Sequence, residues 1–319
     1  MTASKLFQVR KNLGRRTVIL LTQGAFILPL LLWCAVSYLP FVWHPMIKIL
    51  SAGSVDYFEV GMQVERTEFK EQNAKQLAAG GQAATGMREN PMYLPAPHEV
   101  AKALVTAFLT PPVRKGEPWL HESIMHSIRT IFIGFAISAL VGLPLGILCG
   151  SFALVSKLSE PFVDFIRYMP APAFGALSVA ILGIDDAPKV AIIFVGTFFQ
   201  MVLVVANTTR SLPQALLEAS QTLGAKKRQM LFNVVVPGVL PLLYRDMRIL
   251  LGWAWTYLIV AELIGASSGI SFFIYQQAKY RNYANVYAAI ILIGIIGLVT
   301  DLILKSLTRV FFPWEREDR

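Results

Sequence analysis

Six stretches of this chain are apolar over roughly the 20 residues that a helix needs to cross a hydrocarbon core of ~30 Å. They are residues 18–39, 128–150, 162–183, 188–206, 242–265 and 285–307. Inside lipid each segment must satisfy its own backbone hydrogen bonds, so runs of this length predict an all-α membrane protein with six transmembrane helices. The third run is different. Pro170 and Pro172 interrupt it, and Asp164 and Arg167 stand at its entry. It should kink or partly unwind, and irregular backbone at membrane depth is tolerated only when buried in protein or lining a cavity. Pro170 and Pro172 are therefore candidates for the wall of a path.

Composition agrees: 55% of the residues are hydrophobic and 15% charged, against about 25% charged in a soluble domain. The net charge of +9 on so apolar a chain points to loops beside anionic lipid and away from nucleic acid. Cytoplasmic flanks of spans carry the excess of Lys and Arg. With the N-terminus inside, the inner segments hold Lys5, Arg10, Lys11, Arg15, Arg16, Lys157, Arg210, Lys226, Lys227, Arg228, Arg245, Arg248, Lys305, Arg309, Arg316 and Arg319. The short outer loops hold Lys189, Lys279 and Arg281. Both termini are thus expected in the cytoplasm, with the first run an uncleaved helix, too long for the usual signal-peptide core. Cys34 and Cys149 both lie in apolar runs, too few for a disulfide framework or thiolate metal site. His121 and His126 are five apart, where helical zinc sites use four.

Three regions follow: residues 1–43 with the first span, a polar extracytoplasmic insert at 44–97, and a core at 98–319 with five spans. Within the insert, residues 51–90 alternate in charge sign and carry Gly80-Gly81 after a plausible short helix at 64–79. This composition reads as a solvated loop, with a docking surface for an external partner as the alternative. Residues 98–109, bracketed by prolines, repeat Val100, Leu104, Ala107 and Phe108 at helical spacing; the expectation is an amphipathic helix at the outer membrane surface.

The connection between the fourth and fifth runs, residues 208–237, is too patterned for a linker. After Pro213, the residues Ala215, Leu216, Ala219, Thr222 and Leu223 fall near one helical face together with Leu212. Gly224 permits a sharp turn, and a second short helix is expected to end before Pro237. An apolar face on a cytoplasmic loop, with neither lipid nor core to cover it, is suited to burial in a partner's groove.

Glu218-Ala219-Ser220, three residues, Gly224, nine residues, Val234, one residue and Val236-Pro237 resembles the Glu-Ala-Ala signature of permease subunits of binding-protein-dependent ABC importers. Leu94-Pro95-Ala96-Pro97 and the stretch from Gly252 to Ile270 are similar to the nitrate, sulfonate, taurine and bicarbonate branch of that family. The likeness covers about residues 93–309; residues 51–90 depart from it. It implies a multi-pass protein of the bacterial inner membrane that pairs as a homodimer and imports a small solute, with anions foremost. Separate ATPase subunits would supply the energy, and an extracytoplasmic solute-binding protein would deliver the solute. The chain itself would bind no cofactor, since ATP and Mg would be handled by the partners. In agreement, no Gly is followed by Lys anywhere, so a phosphate-binding loop is missing. Docking to the ATPase would fall to Glu218, Ala219, Ser220, Leu223, Gly224 and Lys226. Glu218 would either pair with a cation of the ATPase or favour the N-terminal end of its own helix.

Ionisable groups within spans are functional candidates by default. Glu262 is either a pathway residue at the outer end of the fifth span or an interhelical hydrogen-bonding lock. Asp301 with Lys305 and Asp164 with Arg167 are expected to pair locally. Trp253, Trp255 and Tyr257 are read as an aromatic stripe, either facing the path or packing. A secondary carrier coupling solute to an ion through Glu262 and Asp301 is the alternative function, for which inverted repeats would speak. No convergent His, Ser or carboxylate set suggests an enzyme.

Overall fold

The computed structural model describes residues 14–39, 42–112, 114, 116–264 and 268–314. The inner-face cations Lys5, Arg10, Lys11, Arg316 and Arg319 lie outside the described residues. The chain divides into two units. The first holds the described residues up to Val105 together with Arg281–Tyr287. Its long helix α1 (Arg15–Tyr38) exposes apolar side chains all round, with Phe26 74% and Leu28 71% accessible, as a helix solvated by lipid should.

The insert is not a solvated loop. Strands β1 (Met46–Ser51), β2 (Gln63–Glu65) and β3 (Thr85–Glu89) form an antiparallel sheet in the order β2-β1-β3, with helix α2 (Arg66–Ala78) between β2 and β3. Ile49, Val55, Phe58, Val64 and Ala84 are buried together, with the Phe69 ring stacked on Phe58. Asn73 clamps both backbone groups of Ala84, donating to its carbonyl at 2.9 Å and accepting from its N–H at 2.8 Å. The two shorter strands have only three and five residues, so they offer no alternation long enough to read. A small α+β element therefore interrupts an otherwise all-α chain.

The second unit covers Thr106–Tyr280 and Ala288–Arg319, within the described residues. It is organised around α4 (Leu120–Ser151) and α7 (Asp186–Arg210). Gly134, Ser138, Gly142, Gly146 and Gly150 recur every fourth residue of α4. They face Ile193, Thr197, Met201, Val205 and Thr209 of α7. At the Gly134, Gly146 and Gly150 rungs an added β-carbon would come within 2.5–2.8 Å of the α7 side chain, so small residues let the backbones approach as membrane helices require. Both numberings rise together, which makes the two helices parallel. The chain leaves α4 beside Thr209 and enters α7 where His126 Nε2 meets Asp186 Oδ1 at 2.8 Å. What lies between must cross back.

That crossing is broken. Helix α5 (Ala153–Arg167) and helix α6 (Gly175–Leu182) meet at 88° across Pro170 and a short 3-10 turn at Ala171–Phe174. Among the described residues five helices are long and apolar enough to span, and up to six crossings result when the bent pair counts as one. The remaining elements are α3 (Pro97–Leu109), α8 (Gln214–Thr222), α9 (Lys227–Met230), α10 (Val236–Ile264), α11 (Ile270–Lys279) and α12 (Tyr283–Phe311).

The short helix after Gly224 does not stop at Pro237. Residues Lys227–Ile264 form one continuous helical run. A π-helical segment at Leu231–Val235, in which the Val236 N–H reaches Leu231 O, precedes the proline. Pro237 cannot donate and crowds the preceding turn, and a π-bulge is a known way to absorb such a defect without ending a helix.

Candidate coupling element and membrane path

Pro213 presets the backbone at the N-cap of α8, and Gly224 closes its other end at φ +80°. Gly224 N–H donates to Gln221 O at 2.8 Å and Ala225 N–H to Ser220 O at 3.0 Å. This pair of bonds is a Schellman cap, which selects glycine because the left-handed conformation costs other residues about 1 kcal/mol. The turn redirects the chain into α9, where Lys226 N–H donates to Gln229 Oε1 at 2.8 Å. Lys226 itself is exposed.

On α8, Leu217 is half-buried and Ser220 buried, so this side packs downward. The opposite face carries Ala215, Leu216, Ala219 and Leu223, all exposed, with Leu223 88% accessible. The carboxylate of Glu218 accepts from Gln214 Nε2 at 2.9 Å and lines a cavity of about 490 Å³ shared with Arg210 and Lys227. Glu218 lies beyond the first turn of α8, which contains no acidic residue. Its charge therefore gains little from that helix terminus.

At the far end of the unit Glu262 is fully buried. Its carboxylate accepts from Ser127 Oγ on α4 and from the Ser271 N–H at 2.9 Å, and Ser127 Oγ accepts from the Ile270 N–H at 2.8 Å. One carboxylate thus joins α4, α10 and the first turn of α11, whose unpaired N–H groups favour an anion. Lys189, also fully buried, donates to Asp186 Oδ1 at 3.0 Å and to Ser268 Oγ at 2.7 Å. Neither Ser127, Ser271 nor the burial of Lys189 is foreseeable from spacing, since the partners lie up to 143 positions apart.

Trp253, Trp255 and Tyr257 do not form a stripe. At 100° per residue, a residue two positions on turns to the other side of a helix. Trp255 is buried among Ile131, Ile192 and Leu258, whereas Trp253 is 52% exposed and Tyr257 packs over Gly196. Pro170 is exposed and Pro172 half-buried at the bend. Asp164 pairs with Arg167 at 2.6 Å as spacing suggests. Asp301 does not take Lys305 along its own helix: its two oxygens receive Arg248 Nε and Nη2 of α10, each at 2.9 Å. A guanidinium fork fits a carboxylate better than one flexible ammonium.

Residues 142–317 match the family described as binding-protein-dependent transport system inner membrane component. The chain belongs to that family. It is 32% identical to an ABC transporter permease protein of Brucella abortus, over 70% of this chain and 87% of that one. Against the taurine transport system permease protein TauC of Escherichia coli, identity is 30% over 72% and 82%. Against the nitrate import permease protein NrtB of Synechocystis it is 27% over 70% and 82%. Among solved structures, a chain of the MetNI methionine ABC transporter in an inward-facing conformation superposes with a TM-score of 0.55. It is 20% identical and covers 62% of this chain and 99% of its own, which establishes the shared fold.

The permease is thus a multi-pass inner-membrane subunit of an ABC importer, a type of assembly in which ATPase and binding-protein partners take part. Nothing in the family match or the geometry favours the ion-coupled carrier.

Proposed function

We propose that two copies of this permease form the membrane path of an importer for a small anionic solute, and that α8 and its Gly224 turn transmit force from a separate ATPase. The observation that carries this reading is the exposed apolar face Ala215, Leu216, Ala219 and Leu223 at the end of the molecule where Arg210, Lys226, Lys227 and Arg228 gather. Such a face, held on a capped helix, suits a groove in another protein. Glu218 and Lys226, both exposed, complete the contact, Glu218 exchanging its Gln214 partner for a cation of the ATPase, while Ser220 packs inward and holds the helix in place. ATP and Mg belong to that partner; this chain supplies the lever. An external binding protein delivers the solute, and closure of the ATPases rocks the helix units between inward- and outward-open states. Taurine and nitrate, named for two relatives, each carry an anionic oxygen group, which sets the solute class.

Glu262 acts here as an anchor for α11, not as a solute ligand: a bare carboxylate on the path would repel an anion.

The test is uptake and ATP hydrolysis by the assembled importer in proteoliposomes. Leu223→Asp and Gly224→Pro should insert normally yet lose at least about tenfold of binding-protein-stimulated ATPase activity and uptake, a deficit of ~1.4 kcal/mol or more in coupling. Normal uptake by both variants, or uptake by the permease with no ATPase present, would overturn the reading.

A further inference from the structure

Between α5 and α7 lies a cleft of about 510 Å³ that none of the assigned roles uses, reaching from Glu160 and Asn207 near the cytoplasmic end of α7 to Arg167 and Gln200. Beside Pro161, Leu203 and Val204, its wall carries polar side chains where lipid would demand apolar ones: Asp164 and Arg167 from α5, Gln200 and Asn207 from α7. Glu160, a turn before Asp164, also borders it and is paired with Arg210. Gln200 precedes Arg210, the cytoplasmic end of α7, by ten residues, or about 15 Å, half the depth of a ~30 Å core. Ionisable groups at that depth face a protein interior or a watered path. The outward side of α5 is of the opposite kind, with Leu154 81%, Leu158 79%, Phe162 62% and Phe165 62% exposed, and it can meet lipid. Turning that side to the bilayer turns the cleft away from it.

Arg167 is held but not spent. Its Nε donates to Asp164 Oδ1 at 2.6 Å, Nη1 reaches Gln200 Oε1 at 3.4 Å, and Nη2 donates to Tyr168 Oη at 3.2 Å. A guanidinium has five N–H groups, so one on each terminal nitrogen stays available to an oxyanion. The residue also ends α5, immediately before the 88° break, where the helix carbonyls steady a cation.

We propose that this cleft is a transient resting site for the anionic group of the solute, gripped by Arg167 and the side-chain amide of Gln200, with Asn207 about two turns along α7 as the next polar contact toward the cytoplasm. Asp164 sets the strength. With Asp164 beside the guanidinium and Glu160 paired with Arg210 the charges around the cleft balance, so it holds a sulfonate, nitrate or carboxylate oxygen group weakly. A path needs binding strong enough to enter and weak enough to leave. This deepens the proposed function and rests on the solute being an anion that crosses between spans.

The test needs no knowledge of the solute. In the assembled importer, with Cys34 and Cys149 replaced by Ser, Gln200→Cys is treated with two small water-soluble methanethiosulfonates, one ending in sulfonate and one in trimethylammonium. Rates are normalised to those with a free thiol. The sulfonate reagent should react a few-fold faster, because the cationic side of the neutral Arg167–Asp164 pair is the one that touches position 200, at 3.4 Å. Arg167→Gln should erase that preference and Arg167→Lys should retain it. Asp164→Asn should increase it, which keeps the proposal testable even if Arg167→Gln does not fold. A cysteine at 200 that neither reagent reaches from either side of the membrane, or a preference indifferent to all three changes, would overturn the proposal. ATP-driven uptake of labelled taurine, nitrate and bicarbonate by the Cys-free parent is read separately. Its failure would strike the importer reading while leaving the labelling result interpretable.

Discussion

A β-carbon on Gly269 would overlap the carboxylate of Glu262, and Gly269 holds a φ of +102°. The glycine and the buried acid require each other. Gly269→Ala should displace the carboxylate from Ser127 and Ser271, leaving buried donors unpaired at about 1–3 kcal/mol each, in addition to backbone strain. Thermal unfolding of the detergent-solubilised permease should show a clear fall in Tm. Glu262→Gln, which keeps an acceptor oxygen, should lose less than Glu262→Ala. A Glu262→Ala variant with unchanged Tm but impaired uptake would instead make this residue part of the path.

The α4–α7 ladder makes a sharper contrast. A β-carbon on Gly146 would meet Val205 Cβ at 2.6 Å and Val202 O at 2.8 Å, whereas Gly297 has nothing within 4 Å. Gly146→Ala should destabilise by about 1–3 kcal/mol through overpacking against backbone. Gly297→Ala should be neutral or stabilise α12 by up to ~1 kcal/mol. Equal effects from the two substitutions on chemical denaturation would contradict the assigned packing.

Arg248 and Asp301 form a two-pronged pair between α10 and α12, with side-chain accessibilities of 17% and 46%. A double-mutant cycle with Arg248→Gln and Asp301→Asn should give a coupling energy of about 0.5–3 kcal/mol in stability. Lys305→Gln should show no comparable coupling to Asp301. In uptake assays Asp301→Asn should leave transport independent of ion gradients, in contrast to the loss expected of an ion-coupling carboxylate.

Asn73 holds the insert shut through Ala84. Asn73→Ala removes both hydrogen bonds to that residue and should cost about 1–3 kcal/mol or more. Limited proteolysis of the permease should then cut between α2 and β3, with unit two retaining its melting behaviour. Asn73→Asp, which preserves one acceptor, should show an intermediate rate.

The legible parts are those governed by local chemistry. Lipid solubility shows in runs of about 20 apolar residues, and the break at Pro170 and the turn at Gly224 follow from backbone constraints one residue imposes. The insert escapes a local reading because its core draws on Ile49, Val55, Phe58, Val64 and Ala84, which follow no single period. Spacing points Asp301 to the nearest cation on its own helix; the better partner is Arg248, 53 positions away. The aromatic trio looks like a row along the chain, yet helical rotation separates Trp255 from its neighbours.

The sequence alone determined which segments are apolar enough to enter the membrane and where the chain must turn, because each depends on the composition of a short window or on one residue's allowed dihedrals. Tertiary structure alone decided that α4 and α7 run parallel, that Glu262 is tied to Ser127 and Ser271, and that Arg167 shares a cleft with Gln200. Those facts depend on which helix faces approach one another, and a helix with apolar residues on every side carries no local mark of the neighbour it will choose.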